Sequence, residues 1–416
     1  MSQLRASKAG LAACAVICAC ACLYLWDRDP EDAEQEAVYP AVVECGFYPD
    51  ELCSALSEGK GAAPQIAQFC RNPHRPELLA HLRAPQNCSK VSRGLRFISR
   101  PLSAVEQNFS LAYIIGVRKE LAMFVRLLRA IYVPQNVYCI HIDKKAPRKY
   151  KTAVQALANC LENVFISSRG RKTALEGPES VQTDLSCMSD LVQHQRPWSC
   201  VIKLCGQDFP IKTNREIIHY IRDKGNGNSI TPGAKAGQSG PGPSTRGDAR
   251  FKPHPPQNLT LYSGSAYYIL TRKFVEFILT DARAKDMLQW LRHIQNPEQH
   301  YWVTLNRLKD APGVTRDTGW EGHFRAIKRK AEEGDGHDGC KGHYEQDTCV
   351  FGSGDLQWII QSPALFASKF EPSTDPLVVA CLERWHRRKA LRQAEVPIEP
   401  HWHFPQENHF NTKSTH

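Results

Sequence analysis

The sequence predicts an α/β fold whose core lies within residues 110–214, because strand-like and helix-like patterns alternate there. Short, continuous apolar runs such as SLAYIIGV are typical of strands that are buried on both faces of a parallel sheet. Between these runs, apolar residues recur at spacings of three and four, which indicates amphipathic helices. Three such alternations in about a hundred residues predict parallel strands with right-handed crossovers.

The elements of this core can be placed from the same patterns. Strands are expected at 110–117, 136–143, 163–168 and 199–206, with helices at 120–132 and 150–162. Pro134 should end the first helix, because proline cannot continue the backbone hydrogen-bond ladder. Downstream, helices are expected at 215–224, 284–293 and about 377–391, and a Gly/Pro/Ser-rich segment at 225–256 is expected to be mobile.

The N-terminal part is predicted to be a membrane anchor. Residues 9–26 are uncharged, small and apolar, with Arg5 and Lys8 before them and five acidic residues shortly after them. This charge distribution places the N-terminus in the cytosol. A cleaved signal peptide is the alternative, but the apolar run continues to Trp26, which favours a retained anchor.

The chain is accordingly divided into five predicted parts. These are a cytosolic tail at 1–8, a transmembrane signal anchor at 9–26, a lumenal stem at 27–84, a globular domain at 85–404 and a flexible tail at 405–416.

Cysteine usage and glycosylation motifs are consistent with a lumenal location. Twelve of the 16 cysteines lie after the predicted anchor without CxxC spacing, which favours disulfides over a zinc site. Asn87, Asn108 and Asn258 each begin an N-glycosylation motif. The net charge of +10 is spread along the chain without an aromatic-interleaved cluster, so nucleic-acid binding is not expected.

We interpret the α/β core at 110–214 as nucleotide-binding, and in the secretory lumen such a core suggests sugar transfer from a nucleotide sugar bound over the C-terminal ends of the strands. Asp143 ends the second predicted strand, where a carboxylate could contact uracil or ribose, although turn formation explains an Asp there equally well. The only Asp-x-Asp triplet, Asp27-Arg28-Asp29, lies beside the predicted anchor rather than at a strand end. We therefore expect no metal cofactor, and we expect Lys or Arg to stabilise the departing diphosphate.

The chain resembles the core 2 type β1,6-N-acetylglucosaminyltransferases, glycosyltransferase family 14, over about residues 45–388. The resemblance is carried by LLRAIYVPQNVYCIHID, LCGQDFPIKTN, SGSAYYILTRKFV, CVFGSGDL and LFASKFEPSTDP. It implies a GT-A-like glycosyltransferase domain with a Rossmann-like parallel core, in a single-pass type II Golgi membrane protein. It further implies UDP-N-acetylglucosamine (UDP-GlcNAc) as donor, an O-glycan or glycoprotein acceptor, inversion at the anomeric carbon and no metal.

The resemblance also implies roles for individual residues. The family's general base is a Glu whose position is occupied here by Gln299, and an amide cannot accept a proton usefully. The neighbouring Glu298 is the candidate substitute, although it projects about 100° away on a helix. The family's diphosphate-binding Arg and Lys correspond to Gln346 and Lys369. The other donor contacts correspond to Gly116, Val117, Arg118, Asp143, Lys144 and Lys145, with Leu175 in place of a base-stacking Tyr.

Lys341 or His343 could replace the charge that is missing at Gln346. On the acceptor side, a sugar-stacking Trp and Tyr correspond to Arg329 and Ala331.

The resemblance also implies how the cysteines pair. It pairs Cys53 with Cys381, Cys88 with Cys160, Cys139 with Cys187 and Cys340 with Cys349. It matches Cys205 to a free thiol and leaves Cys45, Cys70 and Cys200 unassigned.

Two functions remain open: a working transferase with an altered acceptor site, or a catalytically weak relative that keeps the fold.

Overall fold

The computed structural model describes residues 49–69, 87–168, 179–225, 227–230, 234–235, 255–294, 296–313 and 324–404. The predicted anchor at 9–26 and the tail at 405–416 lie outside these ranges, as do Leu175, Cys45 and Cys70. Within the described ranges, none of the helices has the length and apolar character needed to cross a membrane.

The described elements follow one another along the chain with short connections in most places. In the N-terminal half they are α1 Pro49–Ser57, α2 Ala63–Phe69, α3 Cys88–Gly94, α4 Ala104–Gln107, β1 Leu111–Val117, α5 Leu121–Ile131, β2 Val137–Ile142, α6 Arg148–Ala158, β3 Val164–Ile166, α7 Ser180–Gln193, β4 Cys200–Cys205, β5 Phe209–Pro210 and α8 Asn214–Asp223.

The C-terminal half contains shorter strands and a long final helix. Its elements are β6 Ser229–Ile230, β7 Ala234–Lys235, β8 Tyr262–Ser263, β9 Tyr268–Thr271, α9 Arg272–Thr280, α10 Ala282–Trp290, α11 Glu298–Leu305, β10 Arg325–Ala326, β11 His343–Glu345, β12 Thr348–Val350, α12 Leu356–Gln361, β13 Phe366–Ala367 and α13 Pro376–Arg392. Single 3₁₀ turns lie at Pro256–Asn258, Leu291–His293, Lys330–Glu332, Ser353–Asp355 and Pro400–Trp402.

The main sheet has six strands in the order β3-β2-β1-β4-β9-β6. β3, β2, β1 and β4 are mutually parallel, whereas β9 runs antiparallel to both β4 and β6. The predicted α/β class and the four parallel strands are therefore confirmed, with boundaries shifted by one or two residues. The parallel strands are mostly apolar because helices cover both faces: α5 and α6 pack on one face, and α7 and α9 pack on the other.

The third crossover and the segment predicted to be mobile differ from the sequence prediction. α7 fills the third crossover, for which we predicted no helix bounds. Ser229–Ile230, in the segment predicted to be mobile, forms β6 at the edge of the sheet because its backbone pairs with β9. Glycine and proline content could not indicate this pairing, since it depends on a strand about forty residues further along.

The helix α1 packs on the globular body although it falls in the segment predicted as stem. Its buried residues Leu52 and Leu56 join an apolar cluster with α12 and α13. Cys53 of α1 forms a disulfide with Cys381 of α13. The other predicted bridges, Cys88–Cys160, Cys139–Cys187 and Cys340–Cys349, are also present, so all four pairings are confirmed.

Candidate active site

The face of the main sheet that α7 covers is open to solvent at one edge. Ile114 and Gly116 of β1 point to this face, and Ile114 is buried against α7, whereas Gly116 is partly exposed. Gly116 is paired with His141 of β2 on one side and with Cys205 of β4 on the other. Cys205 and Lys203, on the same face of β4, are also partly exposed. We call this partly exposed region at the C-terminal ends of β1 and β4 the cleft, because α/β proteins bind nucleotides at this edge of the sheet.

Asp143 lies at this edge, in the turn after β2. Its backbone N–H donates to the Val117 carbonyl at 2.9 Å, and its Oδ1 accepts a hydrogen bond from the backbone N–H of Lys145 at 2.6 Å. The turn-forming role of Asp143 is thus confirmed, while its contact with a nucleotide stays a prediction. The adjacent Lys144 is exposed, and its Nζ lies 3.1 Å from Oε2 of Glu179, immediately before α7. The predicted donor residues on β1 and β2 are therefore brought together.

The two candidate bases lie in the first turn of α11 in different surroundings. Oε2 of the half-buried Glu298 accepts a hydrogen bond at 2.7 Å from Oγ of Ser180, the buried first residue of α7. The Gln299 side chain is exposed, and its backbone carbonyl accepts a hydrogen bond at 2.8 Å from the Gly264 N–H. Because Ser180 follows Glu179, which contacts the turn after β2, Glu298 lies at the same edge of the sheet as the predicted donor residues.

A buried ion pair between α7 and β4 lies close to Glu298. Nζ of Lys203 is 2.5 Å from Oδ2 of Asp184, and the Tyr268 hydroxyl donates to the same oxygen at 3.0 Å. Burial raises the pKa of Asp184, Lys203 and Tyr268 oppose this shift, and the negative charge of Glu298 adds to it. The sequence prediction missed this pair. The available signal was a lysine inside the otherwise apolar strand CVIKLC.

Cys205 is a free cysteine, as predicted, and lies beside a buried arginine. Its thiol donates to Oδ1 of Asp208 at 3.3 Å, and Nη2 of Arg325 donates to the same oxygen at 2.6 Å. The Arg325 guanidinium also donates to Ser368 Oγ at 2.7 Å and stacks on the Tyr267 ring, with 3.4 Å between Cζ and the ring centroid. Burial, together with the negative charge of Asp208, raises the pKa of the Cys205 thiol to about 11.

We expect Cys205 to resist alkylation in the native protein. With a pKa of about 11, roughly one thiol in a thousand is ionised at pH 8, and the thiolate is the reacting species. A Cys200→Ser variant removes the other free cysteine of the described ranges, and analysis of proteolytic peptides separates Cys205 from the cysteines elsewhere in the chain. Mass spectrometry after iodoacetamide treatment should find little modification before unfolding in urea and complete modification afterwards. Equal rates in both states would contradict this prediction.

Lys369, two residues after the end of β13, belongs to a group of four charged side chains. Its Nζ contacts the Glu345 carboxylate and lies 3.3 Å from Oε1 of Glu371. Nζ of Lys119 lies 2.7 Å from the same Glu371 oxygen and 3.9 Å from Oε1 of Glu345. Gln346 is exposed in the turn of the β11–β12 hairpin, with a φ of 57°. The residue of that turn that contacts Lys369 is therefore the neighbouring carboxylate, Glu345.

Lys341 and His343 are the two residues that could replace the positive charge missing at Gln346. Both lie between Cys340 and Cys349, which form a disulfide. The Lys341 ammonium donates to the Asp338 carbonyl at 2.8 Å and lies 3.2 Å from Oδ2 of that residue. His343 is exposed on β11. Lys341 is thus engaged with the segment before the hairpin, and Lys119 is the lysine that approaches Lys369.

The remaining predicted residues lie on the surface. Arg118 is exposed after β1, Arg329 is half-exposed with Asp347 3.9 Å away, and Ala331 is exposed. The three asparagines of the glycosylation motifs, Asn87, Asn108 and Asn258, are also exposed.

In α/β enzymes, ligands bind where polar side chains gather at the carboxyl ends of parallel strands, as they do here at β1, β2 and β4. Residues 111–360 match the family described as "Branch: Core-2/I-Branching enzyme". The chain belongs to this family, and the matched range contains the whole main sheet.

Curated relatives agree with this assignment. The chain is 66% identical to a human protein named "Probable beta-1,3-galactosyl-O-glycosyl-glycoprotein beta-1,6-N-acetylglucosaminyltransferase 7", over 99% of each chain. It is 42% identical to the human "N-acetyllactosaminide beta-1,6-N-acetylglucosaminyl-transferase", over 74% of this chain and 80% of that protein. It is 32% identical to human "Beta-1,3-galactosyl-O-glycosyl-glycoprotein beta-1,6-N-acetylglucosaminyltransferase 3", over 76% and 77% of the two chains.

Proposed function

We propose that the protein is a glycosyltransferase with a GT-A-like fold that transfers N-acetylglucosamine from UDP-GlcNAc in β1,6 linkage to an O-glycan acceptor. The observation that carries this proposal is the cleft at Gly116, with Asp143 and Lys144 on one side and Lys369 on the other. A carboxylate and backbone groups suit the recognition of a nucleoside, and fixed ammonium groups suit a diphosphate. The names of the relatives support the sugar and the linkage.

In the proposed reaction, a base removes the proton from the C6 hydroxyl of the acceptor sugar. The resulting oxygen attacks the anomeric carbon of the donor from the side opposite to the diphosphate, a bond forms there, and the bond to the phosphate oxygen breaks. The product therefore has inverted configuration, and UDP leaves. We assign the base to Glu298, because it is the carboxylate in the first turn of α11 and because Ser180 fixes one of its oxygens.

The charge that develops on the leaving diphosphate must be neutralised for this step to proceed. Fixed lysine ammonium groups can do so by electrostatic stabilisation, the role that a divalent metal has in other transferases. We propose that Lys369 supplies part of this charge and that no metal cofactor is required.

A second candidate function is supported by Gln299 and Gln346. Amides at these two positions remove a proton acceptor and a positive charge that the family resemblance leads us to expect. A protein that binds a UDP-sugar weakly and has little catalytic activity would also fit these substitutions.

We also propose that residues 9–26 anchor the protein in the Golgi membrane as a single-pass type II protein, with the catalytic domain in the lumen. Exposed glycosylation motifs and four disulfides support this location, since both features are typical of exported domains.

The proposed function is tested by incubating the purified full chain with radiolabelled UDP-GlcNAc and EDTA. Core 1 disaccharide and N-acetyllactosamine serve as acceptors, because the relatives are named for different acceptor glycans. We expect a product whose NMR spectrum shows a β1,6 linkage on one of the two acceptors. Binding of UDP-GlcNAc without any product would favour the second candidate function, and the absence of binding would contradict both.

A further inference from the structure

Two lysines from distant parts of the chain approach one carboxylate at the edge of the cleft. Lys119 lies two residues after β1, and Lys369 lies two residues after the end of β13. Their ammonium groups are 2.7 Å and 3.3 Å, respectively, from the same oxygen, Oε1 of Glu371. The Glu371 side chain is largely buried, with 12% of its surface exposed. It therefore holds the two ammonium groups close to each other.

Backbone contacts place this pair at the donor end of the sheet. The Gly206 N–H, directly after β4, donates to the Gly116 carbonyl at 2.8 Å. The next residue, Gln207, accepts a hydrogen bond from the Phe370 N–H at 3.0 Å, and its side-chain amide donates to Glu371 Oε1 at 2.8 Å. The segment that carries Lys369 is therefore attached to the C-terminal end of β4, next to the glycine at the bottom of the cleft.

We propose that Lys119 provides the second positive charge of the diphosphate site, in place of the arginine whose position is occupied by Gln346. This inference rests on the proposed function, because it specifies how the donor is bound. Lys119 and Lys369 reach the site from β1 and β13, so their ammonium groups can bind oxygens of both phosphates. Each ammonium has three N–H donors and acts as a compact point charge.

The carboxylates in the group have two different roles in this arrangement. Glu371 is held by Gln207 and Lys119 and orients both lysines. Glu345 lies on the exposed hairpin, with 46% of its side-chain surface accessible, and it competes with the diphosphate for Lys369. In this proposal, the exposed Glu345 side chain turns away from Lys369 when the donor binds.

The test is calorimetric titration of the full chain with UDP and, separately, with uridine. Lys119→Ala should weaken UDP binding about 10- to 100-fold, the range expected for a lost charge-assisted contact, and should leave uridine binding unchanged. Lys119→Arg should retain most of the UDP affinity. Lys341→Ala is the matched control, because this lysine donates to Asp338 instead, and it should bind UDP like the wild type.

Competition by Glu345 allows a second measurement, in which the affinity for UDP is expected to rise instead of fall. Glu345→Gln should strengthen UDP binding several-fold, because it removes the negative charge from the side chain that contacts Lys369. Circular dichroism of each variant shows whether it is folded.

Two outcomes overturn the inference in distinguishable ways. If the wild type binds UDP and Lys119→Ala binds it equally well, Lys119 is not part of the site and the proposed function still stands. If the wild type does not bind UDP, the proposed donor is wrong, and the role of Lys119 is refuted with it.

Discussion

Replacement of Glu298 by glutamine is expected to lower kcat for GlcNAc transfer by about 10²- to 10⁴-fold, the usual contribution of a positioned general base. The variant keeps the size of the side chain and an oxygen that can accept the 2.7 Å hydrogen bond from Ser180. It loses only the ability to take the proton from the acceptor hydroxyl. KM for UDP-GlcNAc should therefore change little, because the proposed donor contacts remain.

The matched control is Glu276→Gln, which changes an exposed glutamate on α9 that pairs with Arg272. This variant should retain wild-type activity. If Glu298→Gln keeps full activity, the base is a different residue.

Replacement of Glu383 by glutamine is expected to destabilise the fold by about 3 to 5 kcal/mol, because it leaves buried guanidinium groups without their counter-charge. Glu383 of α13 is buried and pairs with both Arg126 and Arg129 of α5. Nη2 of Arg129 donates to Oε2 of Glu383 at 2.6 Å. This network joins the last helix to the first crossover helix of the main sheet.

The same network should make the protein sensitive to acid. Burial alone would raise the pKa of Glu383, but Arg129 and Arg126 lower it to about 2 from an ordinary value of 4.5. The depressed pKa contributes stability above about pH 4.5, and this contribution is lost progressively as the pH falls towards 2. Glu383→Gln should remove this part of the pH dependence.

Urea unfolding at pH 7 and at pH 3 measures both effects. Glu395→Gln is the control, because Glu395 forms a more exposed pair with Arg215 at 2.8 Å, and such pairs contribute about 1 kcal/mol or less. If Glu383→Gln and Glu395→Gln lower the free energy of unfolding equally, the network does not stabilise the fold in this way.

The main sheet could be predicted from the sequence because each of its parallel strands is a local pattern. In β1, all seven residues are compatible with burial, and the helix that follows has a clear apolar stripe. The third crossover was less clear, because α7 buries polar residues such as Thr183, Asp184 and Ser186 among its apolar ones. When polar residues are assumed to face solvent, the first and last residues of such a helix cannot be predicted from the sequence pattern.

The candidate site could be predicted only in part, because its contacts join residues that are far apart in sequence. Asp143 and Lys144 were predicted at a strand end, which is a local feature. The contact of Ser180 with Glu298 spans 118 residues, and Lys119 meets Glu371 across 252 residues. No spacing in the sequence indicates which distant charge will reach Lys369. The sequence prediction therefore named Lys341 and His343, which lie close to Gln346 in the sequence, and not Lys119.

The central claim is that this chain transfers GlcNAc although Gln299 and Gln346 occupy the positions where the family resemblance implies a general base and a diphosphate-binding Arg. The most direct test is the β1,6 transfer assay in EDTA with the wild type and with the double variant Gln299→Glu, Gln346→Arg. Our account predicts product from the wild type, with Glu298 as base and the two lysines binding the diphosphate. Product from the double variant and none from the wild type would contradict it and would identify a protein that has kept the fold and lost the reaction.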